Sequence, residues 1–122
     1  LNKYDGLVLA GTGSGNYSTK IKEVLETYAG NCTIVRASRV LEGAVFDSDV
    51  FDSKKVTIPA YKFSAQKARI LLMLALNCTK NHETIKSFFQ EYWKNFSCIV
   101  NNFVNAIIIY RLLQDRRLLC SN

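Results

Sequence analysis

The chain has 122 residues, 48% hydrophobic and 21% charged, enough for one compact domain and too apolar for a disordered segment. Its net charge of +6 is spread out: residues 1–92 carry 12 basic and 9 acidic groups, and residues 93–122 carry 4 and 1. A nucleic-acid footprint needs Lys and Arg gathered on one face, and the local cluster here is only Arg111, Arg116 and Arg117, so nucleic acid is not an expected partner.

Leu7-Val8-Leu9-Ala10 is a short continuous apolar run, the pattern of a strand buried on both faces of a parallel sheet. Gly11, Gly13 and Gly15 then alternate with Thr12 and Ser14, which permits a tight backbone turn. A helix follows with Ser18 or Thr19 as cap; Ile21, Val24, Leu25 and Tyr28 form its apolar face and Gly30 closes it. Cys32 to Val35 reads as a second strand, completing a βαβ unit. Residues 36–55 are polar and mixed and read as a long loop, a class that is functional or mobile when it occurs inside a small domain. Val56 to Tyr61 is a weaker strand, and Pro59 places it at a sheet edge.

Ser64 can cap a helix over about residues 65–78. Its apolar residues, from Ala68 through Leu76 and including Ile70 and Met73, go almost all round and predict burial on every side. At this length it is too short for a bilayer, which takes about 20 apolar residues, so no membrane is expected as a partner. A further helix starts near Asn81, with Ile85, Phe88, Phe89, Tyr92 and Phe96 at helical spacing. From residue 93 onward the same spacing continues through Ile99, Phe103 and Tyr110, while the β-branched residues leave a strand open.

The motifs stop short of a reaction. Gly11-x-Gly13 is followed by Gly15 one position early for a dinucleotide fingerprint, and Val35-Arg36 stands where a ribose-binding acid belongs. A purely structural turn and a ligand-contacting turn at a strand's carboxyl end both remain open. Asp47, Asp49 and Asp52 lack the spacing of a calcium loop, so no metal is expected and a solvated loop is the default. His82, the one histidine, falls in the first turn of a helix with no nucleophile beside it in sequence, which suits a surface position. Cysteines at 32, 78, 98 and 120 are too far apart for a zinc ribbon or redox pair; Cys32 and Cys78 read as small core hydrophobes.

Three ordered strings carry a family resemblance. Residues 4–16, YDGLVLAGTGSGN, resemble the opening of the C-terminal domain of bacterial-type L-asparaginases. Val35 to Val40, VRASRV, is similar to their VRSSRV segment, and Gln66 to Leu76, QKARILLMLAL, to their QKARxLLxLAL helix. The likeness covers about residues 4–92. It implies an α/β domain at residues 1–92, a small three-layer arrangement with a short parallel sheet flanked by helices; residues 93–122 have no counterpart in the resemblance and are read as a helical C-terminal extension.

The resemblance also implies chemistry. Such enzymes hydrolyse L-asparagine to L-aspartate and ammonia through an acyl-enzyme on a Thr, helped by a second Thr, a Lys and an Asp. Those residues belong to an N-terminal domain that these 122 residues do not contain, so the chain is expected to be inactive alone. The partners implied are that N-terminal domain, neighbouring subunits of a homo-tetramer, and the substrate L-asparagine; no cofactor is implied. The family's substrate-contacting Asn falls on Asn16, with Gly13, Ser14 and Gly15 as the supporting loop. Gapless counting from Arg39 puts Val50 at the position of a substrate-contacting Glu, with Asp49 the nearest acid and the candidate to replace it. An opening at Leu1 rather than Met is read as that of a domain from a longer protein, from either the periplasm or the cytoplasm. The alternative is a small nucleotide- or anion-binding module using the Gly11–Asn16 loop.

Overall fold

The computed structural model describes residues 3–28 and 30–99, with side chains through residue 94. Three strands and three helices follow one another as β1 (Gly6–Gly11), α1 (Thr19–Thr27), β2 (Thr33–Ser38), β3 (Thr57–Ser64), α2 (Ala65–Cys78) and α3 (His82–Ile99). The sheet has the order β1-β2-β3 with all pairs parallel. Val8 lies beside Val35, and Val35 beside Ile58.

All six residues of the central strand β2 are buried. It is longer than the apolar run alone predicts: it continues through Arg36 and Ser38, which the composition assigned to the loop. β3 lies at an edge, as Pro59 requires, with that proline beside Arg36. The pairing is irregular between Arg36 and Ser38, and Tyr61 is left at φ 53°, a conformation that costs a non-glycine residue energy.

Local capping sets the helix starts. Ser18 and Ser64 accept the backbone N–H of Ile21 and Lys67, each at 3.4 Å, and Asn81 Oδ1 accepts that of Thr84 at 3.0 Å. Side-chain alternation along the strands separates two faces. Val35, Ala37, Ile58 and Ala60 pack with Ala68, Leu71, Leu72 and Ala75 of α2 and Ile85, Phe88 and Phe89 of α3. The opposite face carries Ile34, Arg36 and Ser38, and it too is buried.

The expectation that α2 is buried all round is corrected. Its inward stripe of 68, 71, 72 and 75 is buried, but Ile70 and Met73 are more than half exposed, because a single sheet and one neighbouring helix cover only one side of it. Likewise Leu25 of α1 is buried while Ile21 and Val24 are exposed. Of the cysteines, Cys32 is in the core and Cys78 is half-buried. α3 runs without a break past residue 92 to Ile99; the remainder of the proposed extension, residues 100–122, lies outside the described residues. No described helix is long and apolar enough to cross a membrane.

Candidate functional site

In a parallel sheet the loops that leave the carboxyl ends of the strands gather at one edge, where ligands bind. Here those loops are the glycine turn after β1 and the long segment after β2. The turn closes on itself: Thr12 N–H donates to Asn16 O at 3.0 Å, and Asn16 N–H to Thr12 O at 2.7 Å. Gly13, Ser14 and Gly15 form its tip, with Gly13 at φ 51° and Gly15 at φ 83°. A Cβ at Gly11 would land on the Gly15 carbonyl carbon, so the approach of the two backbones itself requires glycine there. Ser38 Oγ donates to Gly13 O from beneath and accepts from Val40 N–H. Two of the turn's backbone N–H groups are thus spent internally, leaving fewer to cradle a phosphate.

Asn16 is half-buried. Its Oδ1 is covered and has no hydrogen-bond partner among the described residues. Leaving such an acceptor unpaired costs on the order of 1–3 kcal/mol, in a turn whose backbone is otherwise tied at both ends.

The segment after β2 is held at several points. Val45 is fully buried and donates its N–H to Tyr61 O at 2.9 Å. Phe46 meets the Tyr61 ring edge-on at 6.0 Å, and Asp47 pairs with Lys86 of α3 at 3.2 Å. Asp52 N–H then donates to Ser48 O at 2.9 Å, folding 48–52 into a tight turn. Asp52 is buried, and its carboxylate accepts from Val56 N–H, Thr57 N–H and Thr57 Oγ1 at 2.6–2.8 Å. Asp49 and Val50 occupy the tip of this turn, 85% and 83% exposed, with Lys55 Nζ 3.9 Å from Asp49.

Between the two loops lies Arg36, 2% exposed. One terminal nitrogen donates to Ser14 O at 3.3 Å and the other to Phe46 O at 2.8 Å; Nε is buried with no partner among the described residues. Burial pushes the Tyr17 phenol up, the Asp52 carboxylate adds to this, and the Arg36 charge opposes it, so Tyr17 stands beside Asn16 as a neutral hydroxyl at physiological pH.

The amino ends of the strands carry a different cleft, lined by Asp5, Cys32, Lys54, Lys55, Lys80 and His82 among others. Its lysines meet carboxylates: Lys54 reaches Glu26 at 2.7 Å and Lys80 reaches Asp5 at 2.8 Å. His82 is the first residue of α3, with Nδ1 3.6 Å from Glu83 and a covered, unpaired Nε2. Among the described residues no group of three His, Cys, Asp or Glu side chains converges as metal ligands would.

The structure thus puts Asn16 on a rigid turn and Asp49 on a neighbouring loop, each following the carboxyl end of a strand, and separates Asp52 from them as a backbone clamp. Sequence reasoning missed Arg36 and Ser38. The signal was there, since a charged residue in the middle of a valine-, isoleucine- and alanine-containing run must be either the end of the strand or a buried group with assigned partners.

The glutaminase/asparaginase C-terminal domain family matches residues 1–89. L-asparaginase 2 of Escherichia coli is 42% identical over 91 residues, 73% of this chain and 26% of that protein. The glutaminase-asparaginase of Pseudomonas fluorescens is 34% identical over 89 residues, covering 70% and 25%. The crystal structure of a probable cytoplasmic L-asparaginase from Campylobacter jejuni superposes with a TM-score of 0.63 at 37% identity, covering 70% of this chain and 26% of that one. The chain therefore spans about a quarter of the length of the relatives it matches. With three parallel strands, the glycine turn and the capped α2 in the order those strings predicted, the chain belongs to the glutaminase/asparaginase C-terminal domain family.

Proposed function

We propose that the chain is the C-terminal part of an enzyme that hydrolyses L-asparagine to L-aspartate and ammonia, and that it lends Asn16 and Asp49 to a reaction centre completed outside these 122 residues. The observation that carries this reading is the place of the Asn16 amide: it closes a glycine turn whose backbone is tied by its two bonds with Thr12, after the carboxyl end of β1, where parallel sheets bind ligands. Its oxygen is covered and unpaired among the described residues, so it accepts from another chain or from a ligand, such as the α-ammonium of an amino acid, once the amide turns outward. Asp49, exposed at the end of the 48–52 turn, adds a carboxylate suited to the same cation. Gly13, Ser14 and Gly15 support Asn16 and take no part in the chemistry. The nucleophilic Thr and its Lys and Asp helpers belong to the N-terminal domain, and neighbouring subunits of a homo-oligomer bring the two parts together.

The test is complementation. The full chain alone, given L-asparagine, should release no ammonia above background. Mixed with the part of Escherichia coli L-asparaginase 2 that lacks the matched segment, it should restore turnover. In that complex Asn16→Ala should lower kcat/KM by on the order of 1–3 kcal/mol of transition-state stabilisation. Turnover by the chain alone, or a restored activity indifferent to Asn16, would sink the proposal.

A further inference from the structure

We propose that Arg36 is a positioning residue that locks the glycine turn and the loop after β2 into one unit, so that Asn16 and Asp49 are held in a constant relation. This rests on the reading of those two residues as substrate contacts. The geometry behind it is a buried fork. Arg36 leaves the middle of β2, beside Leu9 and Pro59, and its two terminal nitrogens donate to carbonyls on different loops, Ser14 O and Phe46 O. These acceptors lie 22 residues before and 10 residues after it in the chain.

The stem of the side chain contributes as well. A Cβ on Gly15 would stand 3.0 Å from Arg36 Cγ and 3.0 Å from Val45 Cγ2, so turn, arginine and loop meet in direct contact there. Other ties are narrower: Ser38 joins Gly13 O to Val40 N–H at the very start of the loop after β2, and the Tyr61 carbonyl holds Val45. Arg36 donates to the turn and to Phe46, further along that loop.

The arrangement is costly as a stability device. The guanidinium is buried, the partners found for it are neutral carbonyls, and Nε has none among the described residues. Burying a charge without a counter-charge works against folding, and an apolar side chain would fill the same space at less cost. A planar, always-charged fork offers what an apolar residue or a lysine cannot, two donors at a set angle to two separate acceptors. Lysine, with a single nitrogen on a flexible stem, reaches one of them.

Two measurements test this, the first without any enzyme activity. Amide hydrogen exchange on the full chain should show Arg36→Lys speeding exchange about tenfold or more in residues 12–17 and 45–51 together, with β2 and α2 unchanged. Ser38→Ala, which removes the tie between Gly13 O and Val40 N–H, should loosen the turn and residues 39–41 and leave 45–51 unchanged. Unchanged exchange in Arg36→Lys, an increase across the whole sheet, or a Ser38→Ala effect on 45–51 as large as that of Arg36→Lys would overturn the clamp.

The second measurement uses the complemented enzyme. Arg36→Lys should raise KM for L-asparagine about tenfold with kcat within about twofold, the split expected when binding geometry loosens and the reacting groups are untouched. Loosened loops with unchanged KM, while Asn16→Ala still raises it, would overturn the positioning role. If Asn16→Ala itself has no effect, the site reading is what fails, and the positioning role falls with it even where exchange shows the clamp.

Discussion

The two faces of β2 are built on opposite principles. On one, Val35 and Ala37 meet an apolar layer of α2 and α3 side chains, where Ile85 and Phe89 are completely buried and the Phe63 and Phe89 rings pack edge to face at 6.3 Å. On the other, Arg36 and Ser38 meet irregular loops and donate to single carbonyls, with Arg36 Nε left without a partner among the described residues. The first face is non-directional and tolerates small shifts; the second is directional and does not. The difference teaches where this small domain stores stability and where it stores geometry.

The comparison can be broken from the apolar side with Phe89→Ala. It empties the centre of the helical layer and should cost about 3–5 kcal/mol, read as a large fall in the denaturant midpoint of the whole chain with both faces lost together. On the directional face Asp52→Asn should cost less, about 1–3 kcal/mol, because its amide nitrogen faces donors where the carboxylate accepted from Val56 and Thr57. Its mark should be local: faster amide exchange at residues 48–57 while the α2 and α3 amides keep their protection. A global loss equal to that of Phe89→Ala would mean the two faces are not separate in energy. The smallest effect is on Cys32. Burial pushes its thiol up, so at neutral pH less thiolate is available than from an ordinary cysteine and alkylation should be slow until the chain unfolds. As pH rises the native thiolate appears later than the unfolded one, so alkylation should become competitive only at higher pH; rapid labelling of Cys32 in folded chain at pH 7 would contradict the packing.

Much of the frame was legible in the sequence. The caps at Ser18 and Ser64, the start of a helix after Asn81, the glycine turn and the edge position signalled by Pro59 all rest on interactions within a few residues. The site was legible in part. Asn16 could be singled out through its string, but its unpaired oxygen could not, since that depends on what covers the turn. Arg36 was misplaced at the sequence level because polarity was read as exposure, and the acceptors that keep it inside β2 are Ser14 and Phe46. Asp47, Asp49 and Asp52 looked alike as three acids in a loop; they are an ion-pair anchor to α3, an exposed tip and a buried clamp.

What the sequence determined by itself is the set of elements and their order, because helix caps, glycine turns and apolar periods act through bonds and contacts between near neighbours in the chain. What only the tertiary structure decided is which polar group is buried and which apolar group is not. The exposure of Ile70 and Met73 beside buried Leu71 and Leu72, and the burial of Arg36, follow from surfaces brought together across the fold, and no local pattern carries that information.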